Sequence, residues 1–120
     1  MTAHAEASSD SKQLCQSLFD RLASRIPNLE RRETKRWCAL FQQGRNRFAY
    51  VGHRKTSGEI EVWCAGDIER LVNHGGMHVV PRAKMRIDWE RRFPGRFFLK
   101  SSREVNGACA LLYEVSFNAS

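Results

Sequence analysis

The chain has 120 residues, a length that builds one hydrophobic core rather than two. Its composition of 42% hydrophobic and 28% charged residues is ordinary for a folded domain and excludes general disorder. Its formal net charge of +7 at pH 7 favours an anionic partner without identifying one.

The N-terminal region predicts a short tail followed by an amphipathic helix. Residues 1–9 are rich in Ala and Ser without a hydrophobic period, so we expect a disordered tail and a single domain over 10–120. The helix is predicted to begin at Asp10 or Ser11, either of which can cap free amides, and to end at Pro27. Four aliphatic residues fall on one stripe of this helix: Leu14, Leu18, Leu22 and Ile26.

Residues 32–64 predict a three-stranded antiparallel meander, because polar and apolar side chains alternate between short turn sequences. Its strands are predicted at Arg32–Phe41, Arg47–His53 and Glu59–Cys64. Gln43–Asn46 has the composition of a turn.

The next segment predicts less regular structure. Asp67 can cap a short middle helix over Ile68–Asn73, which is followed by a short extended run over Met77–Val80. Arg82–Gly95 has no clean period and predicts a long loop, with one helical turn near Asp88–Arg92. Long loops in compact domains often carry function.

The chain is predicted to close with a strand and a helix. The strand is expected over Arg96–Lys100, and Ser101 with Glu104 forms a capping-box pattern for a helix that runs to about Ser116. The expected fold class is α+β, with the N-terminal helix, the meander, the middle helix, a further strand and a C-terminal helix packed on one sheet face.

The cysteines and the apolar segments exclude several classes. Four cysteines lie far apart among apolar residues without a C-x-x-C pair, so we expect buried free thiols and no zinc site: Cys15, Cys38, Cys64 and Cys109. No apolar run reaches the roughly 18–20 residues of a membrane helix, and no signal-type segment is apparent, so we expect a cytoplasmic protein without membrane contact.

The positive charge is concentrated in two blocks. Residues 31–55 hold eight basic and one acidic side chain, residues 81–100 hold seven basic and two acidic ones, and residues 56–80 between them have a net charge of −3. Arginine outnumbers lysine fifteen to five, which favours phosphate recognition.

The second block gives the strongest functional hint, because arginine grips phosphate and aromatic rings can stack on bases. Trp89 or Phe93 would supply such a ring, although these aromatics can equally anchor the loop to the core. The nucleic-acid-binding candidates in this block are Arg82, Lys84, Arg86, Trp89, Arg91, Arg92 and Arg96.

The first block lies at the ends of the predicted meander. Arg32, Thr34 and Arg36 would share one strand face, and the alternative is a charged edge strand that prevents aggregation. The nucleic-acid-binding candidates in this block are Arg32, Arg36, Arg45, Arg47 and Arg54.

Catalysis has weak support. Glu59, Glu61 and Asp67 would have to hold Mg²⁺ for a nuclease, but no lysine follows Glu61 in the pattern that a restriction-type site needs. His74 and His78 have metal-ligand spacing across two glycines that break a helix. We therefore expect a non-enzymatic chain with no metal and no cofactor.

The order of elements resembles a group of small uncharacterised bacterial α+β domains that occur alone or attached to restriction-type and predicted transport proteins. The residues that carry the resemblance are Arg47-Phe-Ala-Tyr-Val-Gly-His53 and Phe97-Phe-Leu-Lys-Ser-Ser-Arg-Glu-Val105. Those domains often have a Gly-His-aromatic-Gly segment where this chain reads Arg92-Phe-Pro-Gly-Arg96. The resemblance implies an intracellular domain without catalytic residues.

Three hypotheses for the function follow. The first is a binding module whose basic face contacts the phosphates of nucleic acid, DNA or RNA. The second is a protein-interaction or homo-oligomerising domain, in which acidic residues 56–80 of one copy pair with a basic block of another. The third is a metal-dependent nuclease or hydrolase.

Overall fold

The structure is a computed structural model that describes residues 3–33, 37–53, 59–66, 79–81 and 91–118. Its elements, in chain order, are α1 (Ala3–Arg25), β1 (Leu29–Glu33), β2 (Trp37–Gln42), β3 (Arg47–His53), β4 (Ile60–Cys64), β5 (Val80–Pro81), β6 (Gly95–Leu99) and α2 (Val105–Asn118). A 3₁₀ turn at Ser102–Glu104 leads into α2.

The strands form one six-stranded sheet in the order β1-β2-β3-β4-β6-β5, and every neighbouring pair is antiparallel. Five of the strands have five to seven residues, whereas β5 has two. Both α1 and α2 pack on one face of this sheet, so the predicted α+β class with its two terminal helices is confirmed.

Helix α1 presents the predicted aliphatic stripe to the core. Leu14, Leu18, Leu22 and Ile26 are all buried, and they pack against the strands and against α2. The helix begins at Ala3, so its predicted start at Asp10 or Ser11 is wrong. The stripe begins only at Leu14, whereas the alanines before Asp10 have high helix propensity, which favours an earlier start.

The predicted first strand, Arg32–Phe41, is in fact two strands. β1 and β2 pair antiparallel, with Arg32 opposite Ala39 and Glu33 opposite Cys38. The region predicted as a three-stranded meander over 32–64 therefore belongs to four strands, β1 to β4. The alternating pattern failed here because it continues through a short polar stretch, and alternation alone does not distinguish one strand from two. β1 is an edge strand with exposed charged side chains, as the alternative interpretation of the first block proposed.

The other strands and the C-terminal helix follow the prediction closely. β3 has its predicted bounds, and β4 begins one residue later than predicted. β6 begins and ends one residue earlier than predicted. Glu104 Oε1 accepts hydrogen bonds from the backbone amides of Lys100 (2.7 Å) and Ser101 (3.3 Å), as expected of the capping box. The middle helix over 68–73 and most of the loop over 82–95 lie outside the described residues.

The main core lies between the helices and the sheet. α2 contributes six buried apolar residues: Val105, Ala108, Cys109, Leu111, Leu112 and Val115. The strands meet them with alternate residues such as Val51, Val62 and Phe97, which are 2%, 0% and 1% exposed. The opposite sheet face carries a second, smaller apolar cluster. Among the described helices, none has both the length and the apolarity needed to cross a membrane.

Candidate functional site

The sheet face that points away from α1 and α2 carries aromatic side chains. Because cross-strand partners point to the same side of a sheet, the pairs Ala39–Tyr50, Tyr50–Trp63 and Trp63–Arg96 form one row across four strands. Trp37 belongs to the same face, since it is two residues before Ala39 on β2.

These aromatic rings pack against one another to form a second apolar cluster. The centroids of the Trp37 and Trp63 rings are 4.0 Å apart, and those of Tyr50 and Phe93 are 4.9 Å apart in a T-shaped arrangement with an interplanar angle of 85°. Ala39, Tyr50 and Phe93 form the buried centre of this cluster. Both faces of the sheet are therefore apolar at their centre.

Phe93 has a structural role that determines the position of its neighbour. It is 3% exposed and packs on the sheet just before β6 begins. The interpretation of Phe93 as an anchor is therefore correct, and its ring is too buried to be a stacking platform. Arg92, the preceding residue, is exposed. Burial of Phe93 thus holds Arg92, a basic residue of the second block, close to the aromatic sheet face.

A cleft of about 720 Å³ opens on this face. It is lined by Arg32, Trp37, Phe41, Arg45, Asn46, Arg47, Tyr50, Arg92 and Phe93. Three of the arginines come from the first basic block and one comes from the second. Among the described residues that line the cleft, none is acidic. The two basic blocks therefore meet at an aromatic cleft.

Different elements place the four arginines. Arg32 lies on the edge strand β1 opposite Ala39, and Arg47 begins β3 opposite Phe41. Arg45 lies in the turn between β2 and β3, where Gly44 has a φ of +80°, a value that glycine adopts without strain. Arg92 arrives from the other end of the chain with Phe93.

Arg47 is oriented by the aromatic floor of the cleft. Its Nη1 donates a 2.7 Å hydrogen bond to the hydroxyl of Tyr50, and its guanidinium carbon is 5.8 Å from the centroid of that ring. A guanidinium over an aromatic ring gains cation–π attraction and loses side-chain freedom before any ligand binds. Arg47 has donors beyond the one that Tyr50 uses, and these can bind an anion.

Arg96 lies on the same sheet face but does not line the cleft. Its Nη1 is 3.9 Å from Glu61 Oε2, and the same carboxylate oxygen accepts a 2.8 Å hydrogen bond from Trp63 Nε1. The Arg96 guanidinium carbon is also 5.5 Å from the Phe98 ring. Arg96 Nε is buried and has no hydrogen-bond partner in the described part of the chain. Arg96 is therefore held beside the cleft by a partly exposed ion pair and an aromatic ring.

The remaining predicted binding residues are divided between the surface and the undescribed segments. Arg91 is exposed and does not line the cleft. The others lie outside the described residues: Arg36, Arg54, Arg82, Lys84, Arg86 and Trp89. Of the twelve candidates, four line the cleft, namely Arg32, Arg45, Arg47 and Arg92.

The residues with catalytic chemistry do not form a reaction centre where they are described. Glu61 is engaged with Trp63 and Arg96, while Asp67, His74 and His78 lie outside the described residues. Within the described ranges, no three His, Cys, Asp or Glu side chains cluster closely enough to hold a metal ion.

The four cysteines are free thiols, of which Cys38, Cys64 and Cys109 are buried and Cys15 is half-buried. Burial raises the pKa of Cys38 to about 11 and that of Cys64 to about 12, so both stay protonated at neutral pH. Burial likewise raises the pKa of Cys15 and of Cys109. Because the thiolate is the nucleophile, the raised pKa lowers the reactivity of each thiol.

The charge pattern did not reveal the aromatic part of the site. Trp37, Phe41 and Tyr50 line the cleft, yet none was among the predicted binding residues. A signal was present in the sequence, because β2 to β4 have large apolar side chains at both odd and even positions. Strands that are apolar on both faces need other residues packed on both faces, and the two predicted terminal helices pack on only one of them.

Comparison of the chain with protein-family models, curated proteins and solved structures found no match. The resemblance to small bacterial α+β domains stays a prediction.

Proposed function

We propose that this chain is a non-catalytic module that binds nucleic acid, with the cleft as the centre of its binding face. One observation carries the proposal: Arg92 of the second basic block shares an aromatic-lined cleft with Arg32, Arg45 and Arg47 of the first. Two segments far apart in the sequence thus supply cations to one place.

The charge at the cleft supports an anionic ligand. Four guanidinium groups in one cleft repel one another, and the described lining residues include no carboxylate to offset that repulsion. A polyanion removes the repulsion and releases its own condensed counterions on binding, which is a large source of affinity for nucleic acid. Arginine suits this role because its planar fork can donate two hydrogen bonds to one phosphate.

The neighbouring aromatic rings favour nucleic acid over a simple inorganic anion. Phe41 is half-buried at the cleft, so part of this aromatic side chain is exposed beside the arginines. Nucleotides combine a negative phosphate with a flat aromatic base, and this cleft offers partners for both.

Pairing between copies of the chain has less support. It requires the acidic residues of 56–80 to face a basic block of another molecule. Within that segment, Glu61 already contacts Trp63 and Arg96 of its own chain. Free buried thiols fit a reducing compartment, so we propose that the module acts in the cytoplasm.

A salt titration tests the proposal. A fluorescently labelled oligonucleotide is titrated with the purified protein, and the association constant is measured by anisotropy at several salt concentrations. Contacts from about four arginines predict a slope of log K against log salt of about −3 to −4. Absence of binding at about 0.05 M salt, or affinity independent of salt, would refute the proposal.

A further inference from the structure

We infer that the cleft receives the terminal phosphate of a nucleic-acid strand, so that the module binds phosphorylated strand ends in preference to the continuous backbone. This inference rests on the proposed function and adds to it the chemical group that the cleft recognises. It follows from the contacts that the four cleft arginines make and from the segments that carry them.

Most of the hydrogen-bonding capacity of these arginines is unused. Arg32, Arg45 and Arg92 are exposed, and none of them forms a hydrogen bond or an ion pair in the described part of the chain. Arg47 donates one hydrogen bond, to the Tyr50 hydroxyl, and its other guanidinium donors are available. Because each guanidinium group carries several N–H donors, the cleft presents more donors than one internal phosphate can use.

Two of the arginines approach the cleft from the two sides of β2. Arg32 lies on β1 opposite Ala39, and both Arg32 and Arg47 line the cleft. Arg47 lies on β3 opposite Phe41. β1 and β3 are the neighbours of β2, so a strand spacing of about 4.8 Å puts them about 10 Å apart. Arginine side chains are long enough to extend over β2 from both sides, so both guanidinium groups can contact one phosphate between them.

Tyr50 brings the second basic block to the same place. Its hydroxyl accepts the 2.7 Å hydrogen bond from Arg47, and its ring centroid is 4.9 Å from that of Phe93. Arg92 precedes Phe93 and lines the same cleft. Cations from β1, from β3 and from the segment before β6 therefore surround one site.

The positive charge is local rather than a track along the sheet. Trp37 is paired with Gly52, and Gly52 is paired with Glu61, so the row that begins at Trp37 leads to a carboxylate on β4. Glu61 Oε2 is 3.9 Å from Arg96 Nη1, which offsets the charge of that arginine. A strand that continued across the sheet in this direction would meet an acidic group rather than a further unpaired cation.

A terminal phosphate suits such a cluster better than an internal one. An internal phosphodiester has a single negative charge and a sugar on either side, which limits the directions from which cations can approach. A terminal phosphomonoester carries a charge of about −1.5 to −2 at pH 7 and three acceptor oxygens. Because only one sugar is attached to it, arginines from several segments can contact it together. Arginine clusters are a recurring means of recognising phosphomonoesters.

The first test compares three single strands of about twelve nucleotides with the same sequence and an internal fluorophore. One has a 5′-phosphate, one has a 3′-phosphate, and one has hydroxyl groups at both ends. We expect at least one phosphorylated strand to bind about ten- to a hundredfold more tightly than the hydroxyl strand, measured by anisotropy at the same salt concentration. Equal affinity for all three would overturn this inference and leave the proposed function intact. Failure of all three to bind at low salt would overturn both.

The second test uses Arg47→Lys, which keeps the charge and removes the planar fork. Affinity for the preferred phosphorylated strand should fall by about tenfold and affinity for the hydroxyl strand by less, so the advantage of the phosphate should shrink by at least about threefold. The matched control is Arg103→Lys, at an exposed arginine outside the cleft, which should leave this advantage within about twofold. If Arg47→Lys does not fold, Arg92→Lys should show the same loss. An unchanged advantage in the folded variant would overturn the inference.

Competition with a nucleoside monophosphate separates a strand end from a free nucleotide, because both carry a terminal phosphate. The monophosphate should displace the phosphorylated strand only at a concentration at least about tenfold higher than the unlabelled strand requires, since the strand adds contacts from the phosphates that follow. The corresponding nucleoside should not displace it. A monophosphate that competes as well as the strand would overturn the assignment to strand ends. A nucleoside that competes as well as the monophosphate would overturn recognition of the phosphate.

Discussion

The indole of Trp37 lies directly on the backbone of Gly52, its neighbour on β3. A β-carbon at position 52 would be 2.7 Å from the Cε3 and Cζ3 atoms of the indole, a separation that real side chains do not reach. The absence of a side chain at Gly52 therefore sets how deeply Trp37 sits in the sheet face. Trp37 in turn contacts Trp63, so the close packing at Gly52 also affects the position of the Trp37–Trp63 pair.

Gly52→Ala should consequently displace the Trp37 ring. We expect a loss of about 1–3 kcal/mol in the free energy of unfolding, measured by urea denaturation, together with a shift in tryptophan emission. The control is Gly44→Asn, because nothing lies within 4 Å of a β-carbon there and asparagine tolerates the left-handed conformation of Gly44. The control should cost less than about 1 kcal/mol. Equal losses in the two variants would contradict the close packing of Trp37.

Much of the fold could be predicted because burial leaves a periodic trace in the sequence. The stripe from Leu14 to Ile26 identified α1, because this helix buries one side against the core, and aromatic and β-branched content between turn sequences identified β3. The errors arose in polar sequence. The start of α1 and the division between β1 and β2 both fall in polar sequence, in which packing leaves no periodic pattern.

The candidate site was predictable only in part, for a related reason. Charge counts identified Arg47 and Arg92 individually, but their convergence depends on which strands are neighbours. The sheet order places β6 beside β4, and the packing of Phe93 against Tyr50 of β3 then brings Arg92 to the cleft. Strand order depends on long-range pairing, which residue patterns along the chain do not encode.

Charge reversal at Arg92 tests the contribution of the second basic block. Arg92→Glu removes one phosphate contact and adds a repulsion, so nucleic-acid affinity at low salt should fall by about ten- to a hundredfold, and the salt slope should become shallower by about one. Arg103→Glu makes the same change in net charge at an exposed residue of the 3₁₀ turn that does not line the cleft. It should retain affinity within about threefold. Equal losses in both variants would show that net charge, rather than the cleft, governs binding.

Phe93→Leu should weaken binding even though Phe93 is almost completely buried. The smaller side chain loses the edge contact with Tyr50, worth about 0.5–1.5 kcal/mol, and loosens the segment that holds Arg92. We expect anisotropy titrations to show reduced affinity and a shallower salt slope. Phe97→Leu is the matched control, because Phe97 is equally buried but faces the helices. It should lower stability in urea and leave affinity near that of the wild type, so equal binding losses would contradict the anchoring role of Phe93.

Cys64 makes the stability of the fold sensitive to alkaline pH. Burial raises its pKa from the ordinary value of 9.0 to about 12, so between these values the unfolded chain releases the thiol proton while the folded chain retains it. The stabilisation is complete below pH 9 and is lost as the pH rises toward 12. From about pH 7 to pH 10, the wild type should lose about 1.4 kcal/mol more stability than Cys64→Ala, measured by urea unfolding in reductant. Parallel pH curves for the two proteins would contradict this origin of the effect.

Glu61→Gln distinguishes a binding module from a metal-dependent nuclease. Glutamine keeps an oxygen that can accept the hydrogen bond from Trp63 Nε1 and loses the partly exposed ion pair with Arg96, so the free energy of unfolding should change by less than about 1 kcal/mol. Removal of a negative charge beside the basic face should raise nucleic-acid affinity by about twofold. Glu33→Gln is the control for net charge, because Glu33 follows Arg32 on β1 and lies on the other face of the sheet. It should change nucleic-acid affinity less than Glu61→Gln does. Wild-type cleavage of nucleic acid with Mg²⁺ that Glu61→Gln abolishes would instead assign Glu61 to a catalytic centre.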